Sequence, residues 1–166
     1  MIFCAIFLLS CNIKTQYNPQ ILNDTVIVTQ DVESFIKKEE GFRNKVYVCL
    51  GGVNTIGYGT RAKNVDEVID EEEATKRMRS YLENVTYQKI KKLNVKYNSN
   101  QLIAISSFDF NTNKLDKIIN SDGTINCEKI KLYNKIKVKN EDGSYSYVTN
   151  KVLNERRVRE YDLCIK

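Results

Sequence analysis

Apolar residues recur at helical spacing after the first polar stretch of the chain. Val32, Phe35 and Ile36 lie three or four positions apart behind a good N-cap, and the pattern stops at Gly41. Residues at this spacing form one face of a helix, and glycine commonly follows a helix end. The pattern therefore predicts a short amphipathic helix with Glu40 at its carboxyl end.

The next segment has the pattern of β-strands. Residues 46–48 and 53–58 are rich in valine, isoleucine, threonine and tyrosine, and they flank Gly51 and Gly52. β-forming residues on both sides of a glycine turn are typical of a hairpin. We predict a β-hairpin here, followed by a third short strand near residues 62–65.

Helical spacing returns at Asp70. Glu73 follows three positions later, which is the spacing of a capping box, and an apolar face then continues to about Lys92. A mostly apolar segment over residues 101–110 is too uniform for a surface helix, so it predicts a buried central helix capped by Ser99 or Asn100. The remaining predicted elements are short helices over 114–119 and 127–136, a small hairpin or loop around 142–143, and a last helix over 150–164.

These elements predict one mainly helical α+β domain. A small lobe carries the hairpin, a long helix joins it to a helical lobe, and a cleft lies between the two lobes. A chain of 166 residues with 42% hydrophobic content is long enough for one core and too short for two ordinary domains.

The amino-terminal residues form an apolar leader. Residues 1–10 are almost entirely apolar and too few to span a bilayer, and residues 8–11 resemble a lipoprotein processing signal with Cys11 as the lipidated residue. A signal-anchor segment is the alternative. We predict a leader over 1–10, a tether over 11–30 and a catalytic domain over 31–166. Either form of the leader predicts export to the cell envelope or periplasm and contact with a membrane.

Composition limits the binding partners and catalytic groups that this chain can use. The net charge of +5 favours anionic partners, while the absence of histidine excludes Ser-His and Cys-His nucleophile pairs and histidine metal sites. Acid–base catalysis must then use carboxylates, thiols, hydroxyls or amines. The positive charges are spread out and accompany no nucleic-acid motif, so we expect no nucleic-acid partner.

The helix end and the hairpin bring candidate groups together. Glu40 supplies a carboxyl group, and Cys49 and Thr55 lie on opposite sides of the glycine turn, so that all three can face one cleft. Glycosidic bond cleavage needs a protonated acid beside the leaving oxygen and a base or nucleophile on the other side of the sugar. A free thiol has a pKa of about 8.5, so Cys49 would need nearby positive charge to act as a thiolate.

Residues 39–60, EEGFRNKVYVCLGGVNTIGYGT, resemble the active-site signature of the phage-type lysozymes, glycoside hydrolase family 24. In that signature Glu-Gly opens the motif and Thr-Ile-Gly-Tyr-Gly closes it. The resemblance implies a lysozyme-like fold and a catalytic triad in which Glu40 is the acid, Thr55 orients water, and Cys49 occupies the position of an aspartate. Some members, including endolysins of the signal-anchor kind, carry cysteine at that position.

Two later segments extend the resemblance. Residues 100–111 are similar to the family's buried helix, and residues 153–160 are similar to its closing motif. The family resemblance implies that Arg156 or Arg157 returns to support Glu40 and Cys49. The alternative for these arginines is a solvated helix face.

The implied function is a peptidoglycan hydrolase, a muramidase that cuts the β-1,4 bond between N-acetylmuramic acid and N-acetylglucosamine. We expect it to need no metal or organic cofactor, to act as a monomer and to have peptidoglycan as its partner; its substrate-binding residues are not predicted. The alternative is a wall-binding protein that kept the cleft and lost turnover when cysteine replaced the aspartate.

The cysteines allow two arrangements. If the leader cysteines are lipidated or removed, Cys49, Cys127 and Cys164 remain, and we predict a disulfide between Cys127 and Cys164. In the second arrangement, Cys4 or Cys11 blocks Cys49 as a reversible disulfide until the domain leaves the membrane.

Overall fold

The computed structural model describes residues 29–49 and 52–166 and has the predicted α+β class, with helices predominating. The helices are α1 (Gln30–Glu40), α2 (Glu71–Tyr81), α3 (Tyr87–Lys92), α4 (Ser99–Thr112) and α5 (Lys151–Cys164). The strands are β1 (Arg43–Val48), β2 (Asn54–Gly57), β3 (Thr60–Arg61), β4 (Lys135–Lys139) and β5 (Tyr145–Thr149). The predicted leader, its lipidation at Cys11 and most of the predicted tether lie outside the described residues.

Helix α1 has the predicted ends. The Thr29 side chain accepts a hydrogen bond from the backbone N–H of Val32, and Gly41 follows the last turn with a φ of +67°. Val32 and Ile36 are fully buried, which confirms the predicted apolar face. This local geometry holds Glu40 at the carboxyl end of the helix.

Strands β1, β2 and β3 form a three-stranded antiparallel sheet. The first two strands are the predicted hairpin, with Tyr47 opposite Thr55. The predicted third strand is present but lies before the predicted residues 62–65, since β3 begins at Thr60, directly opposite Ile56. The following loop is instead stabilised by side chains, since Glu67 accepts a hydrogen bond from the backbone N–H of Lys63.

The long helix is confirmed over its predicted length, and it contains a π-helical turn. The Asp70 side chain accepts from the backbone N–H of Glu73, and helical structure continues through a π turn at Leu82–Thr86 to Lys92. The hydrophobic pattern of the sequence does not predict this π turn. The turn places the Thr86 hydroxyl 2.9 Å from a carboxylate oxygen of Asp109, to which it donates.

Helix α4 is the centre of the core, as predicted. Ile105 and Phe108 are fully buried, and α5 and α1 both pack against this helix. Its N-cap is Asn98, which forms a capping box with Gln101, so the predicted cap at Ser99 or Asn100 is one or two residues late.

One buried carboxylate ties α4 to its neighbours. Asp109 is fully buried, accepts from Lys89 Nζ at 2.8 Å and also accepts from the backbone N–H of Leu115 at 3.0 Å. A buried charge is tolerated only when it is paired and hydrogen-bonded, and these contacts satisfy that requirement. Asp109 therefore has a structural role away from the hairpin.

The two short helices are shorter than predicted and are 3₁₀ turns, at Leu115–Lys117 and Cys127–Leu132. The first cannot extend because Ile119 forms a β-bridge with Ile125. The second ends before Ile136, which pairs with Val148 across the β4–β5 hairpin. Pairing with other parts of the chain thus replaces the local helical pattern.

Helix α5 and the disulfide complete the fold. Asn150 caps the helix, and its last residue, Cys164, is bonded to Cys127 with a Cα–Cα distance of 5.8 Å. The predicted pair is confirmed. Within the described ranges, no helix has both the length and the apolar character needed to cross a membrane.

Candidate active site

Glu40 is held by an arginine from the far end of the chain. Nη1 of Arg156 donates a hydrogen bond to Oε1 of Glu40 at 2.7 Å, and the side chains retain only 5% and 15% of their exposure, respectively. A charge-assisted hydrogen bond in a poorly solvated position restricts both groups strongly. The carboxyl end of α1 therefore meets α5 at the candidate acid.

Arg156 is itself fixed by a buried network. Its Nε donates to Oε1 of Glu160 at 3.0 Å, and its Nη2 donates to the hydroxyl of Ser107 at 3.1 Å. Ser107 in turn donates to Glu160 at 2.6 Å. Burial raises the pKa of Glu160, and the neighbouring guanidinium groups oppose that effect. The network leaves Arg156 little freedom to turn away from Glu40.

The two arginines predicted to support the site, Arg156 and Arg157, have different partners. Arg157 is 1% exposed, and its Nη2 donates to Glu160 at 2.8 Å while its guanidinium lies over the ring of Phe108. Of these two arginines, Arg156 is the one with a direct hydrogen bond to Glu40. Both side chains are buried, so the alternative of a solvated face is wrong for Arg156 and Arg157.

A second ion pair fixes the same helix end. Arg159 donates from Nε and Nη2 to the two carboxylate oxygens of Glu39, at 2.6 and 2.8 Å. Burial would raise the pKa of Glu39, but the hydrogen bond and charge of Arg159 outweigh it and hold that pKa below its usual range. The sequence analysis did not assign this pair, although its residues flank Glu40 and Arg156 in the two motifs.

Cys49 and Thr55 share a backbone carbonyl. The backbone N–H of Cys49 donates to the oxygen of Val53 at 3.0 Å, and the hydroxyl of Thr55 donates to the same oxygen at 2.9 Å. Side chains alternate between the two faces of a strand, and Tyr47 lies opposite Thr55. Cys49 and Thr55 therefore belong to the face of the hairpin that also carries Tyr47.

Tyr47 lies on the hairpin and interacts electrostatically with the helix end. Burial raises the pKa of its hydroxyl, and electrostatic interaction with Glu40 and Cys49 adds to that effect, while Arg43 opposes it. Tyr47 thus interacts electrostatically with one group of the helix end and with one group of the hairpin. The sequence pattern indicated only that this tyrosine favours a strand, because its neighbours come from a different element.

The glycines of Thr-Ile-Gly-Tyr-Gly have separate roles. A Cβ atom at Gly57 would lie 2.8 Å from Cβ of Ala74, so this glycine permits close packing of the sheet against α2. A Cβ atom at Gly59 would lie 3.0 Å from Oε2 of Glu40, and Gly59 has a φ of +82°. Gly59 therefore keeps a side chain away from the second carboxylate oxygen of Glu40.

The geometry agrees with a family comparison. A sequence model of the phage lysozyme family matches residues 37–160, which includes the helix end, the hairpin and the arginines of α5. The chain belongs to the phage lysozyme family. Membership of this family agrees with the enzyme class that the sequence implied, a lysozyme-type glycoside hydrolase.

A curated relative agrees with this assignment. An endolysin from Acyrthosiphon pisum secondary endosymbiont phage 1 is 39% identical over 77 residues, which are 46% of this chain and 53% of the relative. The match thus spans about half the length of that curated relative.

Solved structures support the lysozyme-like fold. The endolysin from Escherichia coli O157:H7 phage FAHEc1 aligns with a TM-score of 0.62 at 24% identity, covering 85% of this chain and 94% of its own. The muramidase domain of SpmX from Asticaccaulis excentricus aligns with a TM-score of 0.64 at 20% identity, covering 84% and 97%, respectively. The predicted lysozyme-like architecture is confirmed.

Proposed function

We propose that this member of the phage lysozyme family is a muramidase, which hydrolyses the β-1,4 bond between N-acetylmuramic acid and N-acetylglucosamine in peptidoglycan. The main support is Glu40, whose Oε1 accepts from Arg156 while its Oε2 is the oxygen nearest to Gly59. A carboxyl group held by one oxygen has the other available for proton transfer. General acid catalysis requires such a positioned group.

Glu40 donates its proton to the glycosidic oxygen as the bond from that oxygen to the anomeric carbon breaks. The leaving sugar departs with a new hydroxyl group, and positive charge develops at the anomeric carbon. Arg156 keeps the carboxyl group in one orientation through this step. Glu40 must be protonated when the substrate binds and ionised when the leaving sugar departs.

Cys49 acts from the other side of the sugar in one of two ways. As a nucleophile, its thiolate bonds to the anomeric carbon, and water activated by Glu40 later displaces the sulfur. As a base, the thiolate takes a proton from the attacking water and becomes a thiol. The first route retains the anomeric configuration and the second inverts it.

Thr55 orients the attacking water. Its hydroxyl hydrogen is donated to the carbonyl of Val53, so the oxygen of Thr55 has lone pairs left to accept a hydrogen from water. Accepting that hydrogen turns a lone pair of the water towards the sugar. The backbone N–H of Cys49 donates to the same carbonyl, and this shared acceptor fixes the position of Cys49 relative to Thr55.

The setting that we propose is the bacterial cell envelope, where the protein acts as a monomer on wall peptidoglycan. Export uses the apolar leader, either lipidated at Cys11 or retained as a signal anchor. Membrane fractionation of wild type and Cys11→Ser separates the two forms of the leader, since only lipid attachment depends on that thiol.

Muropeptide analysis of digested wall tests the activity. Under reducing conditions, wild type should release fragments with N-acetylmuramic acid at the new reducing end. Glu40→Gln should lose activity by about 10²- to 10⁴-fold, and Cys49→Ala should also be impaired. Glu39→Gln is the matched control, because it alters the neighbouring carboxylate that binds Arg159.

Two results would contradict the proposal. New reducing ends of N-acetylglucosamine would assign a different bond. Lack of cleavage by wild type, together with cleavage by Cys49→Asp, would support the alternative of a wall-binding protein that has lost turnover.

A further inference from the structure

The hairpin of β4 and β5 carries a surface that the catalytic proposal does not use. In its register Lys135 pairs with Thr149, Lys137 with Tyr147, and Lys139 with Tyr145. Directly opposed residues of an antiparallel pair point to the same face. Lysines from one strand and tyrosines from the other are therefore combined on one face, which we call the lysine–tyrosine face (Lys135, Lys137, Lys139, Tyr145, Tyr147 and Thr149).

All six side chains of this face are exposed. Tyr145 and Tyr147 keep 56% and 68% of their exposure, and the Nζ of Lys137 lies 3.9 Å from the ring centre of Tyr145. Neither strand contains an acidic residue. The lysine–tyrosine face thus presents three positive charges and two aromatic rings to solvent.

Cross-strand stability accounts for part of this composition only. The contact of Lys137 with the Tyr145 ring stabilises the hairpin, but no residue of this face neutralises its three positive charges. Large exposed aromatic side chains beside unneutralised cations favour a ligand that offers both flat apolar surface and negative charge.

We propose that the lysine–tyrosine face binds peptidoglycan outside the catalytic cleft. The lysine ammonium groups pair with carboxylates of the stem peptides, and the tyrosine rings stack on the sugars. This inference rests on the proposed function, which supplies an anionic sugar polymer as the substrate. At about 3.4 Å per residue, Lys135 and Lys139 are roughly 14 Å apart, so the face suits an extended polymer.

The base of the hairpin is attached to the helix that supports Glu40. The backbone N–H of Asn150 donates to the carbonyl of Asn134 at 2.8 Å, and the Asn134 side chain donates to the side chain of Asn154 at 2.8 Å. Helix α5 starts at Lys151 and carries Arg156 in its second turn. Binding at the hairpin therefore holds the catalytic part of the domain on the wall between successive cuts.

Co-sedimentation with insoluble peptidoglycan tests this surface in the Glu40→Gln background, where digestion is suppressed. We compare the parent with a triple variant, Lys135→Ser, Lys137→Ser and Lys139→Ser, and with a double variant, Tyr145→Ser and Tyr147→Ser. We expect each to raise the apparent Kd at least about fivefold. The parent should also bind less well at high salt and to walls whose carboxylates have been converted to amides.

The matched control removes the same charge elsewhere, by Lys91→Ser, Lys92→Ser and Lys96→Ser, which are all exposed positions. It should bind like the parent, and all variants should show the parent's thermal unfolding. An equal loss in both triple variants would overturn the proposal, because net charge alone would then be responsible. Unchanged affinity for amidated walls, or hairpin-dependent binding to phosphatidylglycerol vesicles but not to walls, would overturn it as well.

The design separates this inference from the catalytic proposal. Binding is measured without turnover, so a chain that lacks muramidase activity still gives a binding curve. Normal glycan cleavage by wild type, combined with equal wall binding by parent and hairpin variants, would overturn the surface assignment alone.

Discussion

Nη1 of Arg156 lies 2.7 Å from Oε1 of Glu40, although 116 positions separate the two residues in the chain. The contact joins the carboxyl end of the first described helix to the last helix. The position of the candidate acid is therefore a property of the folded domain and depends on how α5 packs against α4.

Replacing Arg156 by lysine should lower wall-lysis activity by about 10- to 100-fold, because positioning errors near 1 Å have effects of this size. An ammonium group cannot reproduce the fork that reaches Glu40, Glu160 and Ser107 together. Turbidity clearing measures the change, and circular dichroism establishes the folded fraction.

The control is Arg159→Lys, which alters the pair with Glu39 on the same two helices. It should change activity by less than about threefold, since Arg159 is 43% exposed and contacts Glu39 rather than the candidate acid Glu40. Equal effects of the two substitutions would show that Arg156 acts through general packing of α5.

The Gly59→Ala variant should lose most of its activity but only a small part of its folding free energy. The added methyl group would lie 3.0 Å from Oε2 of Glu40, and the φ of +82° is strained for alanine. We expect a destabilisation of about 1–2 kcal/mol and a rate loss on the order of tenfold or more on soluble glycan strands.

Gly143→Ala separates strain from the effect on the carboxyl group. Gly143 has a φ of +83° but no atom within 4 Å of the added Cβ. It should show the same destabilisation with unchanged turnover of soluble strands. Parallel losses of activity in both variants would contradict a specific role for the space beside Glu40.

Glu67→Gln should alter the pH dependence of unfolding. Hydrogen bonds from Arg77 and from the backbone N–H of Lys63 lower the pKa of Glu67 to about 2, from an ordinary value of 4.5. A carboxyl group with a lowered pKa in the folded state adds stability above its ordinary pKa, and that contribution is lost as the pH falls towards 2. The wild type should thus have the higher Tm at pH 7, and its advantage should shrink between about pH 4.5 and 2. A gap in Tm that is constant over this range would contradict the assignment.

Removing the disulfide with Cys127→Ala and Cys164→Ala should destabilise the domain. The bond closes a loop with a sequence separation of 37, for which loop-closure entropy gives about 3–4 kcal/mol. Urea unfolding of the double variant should show a lower midpoint. The variant's unfolding should also be insensitive to reductant, whereas an unchanged midpoint would contradict a stabilising role.

Local signals determined where several helices begin. Thr29, Asp70 and Asn150 each cap a helix by accepting a hydrogen bond from the backbone N–H three residues later, and such contacts depend only on neighbouring residues. The apolar run of α4 likewise determined its burial. The sequence motif also identified the family, because Glu40 and the Thr-Ile-Gly-Tyr-Gly segment lie close together in the chain.

Tertiary structure decided what those signals left open. The 3₁₀ turns replaced predicted helices where Ile119 and Ile136 found β-partners elsewhere. The choice of Arg156 over Arg157 as the partner of Glu40 depends on which faces of distant elements pack together. The hydrophobic pattern by itself determines which face of an element is buried, but the pairing of polar groups across elements is decided only when the whole core has assembled.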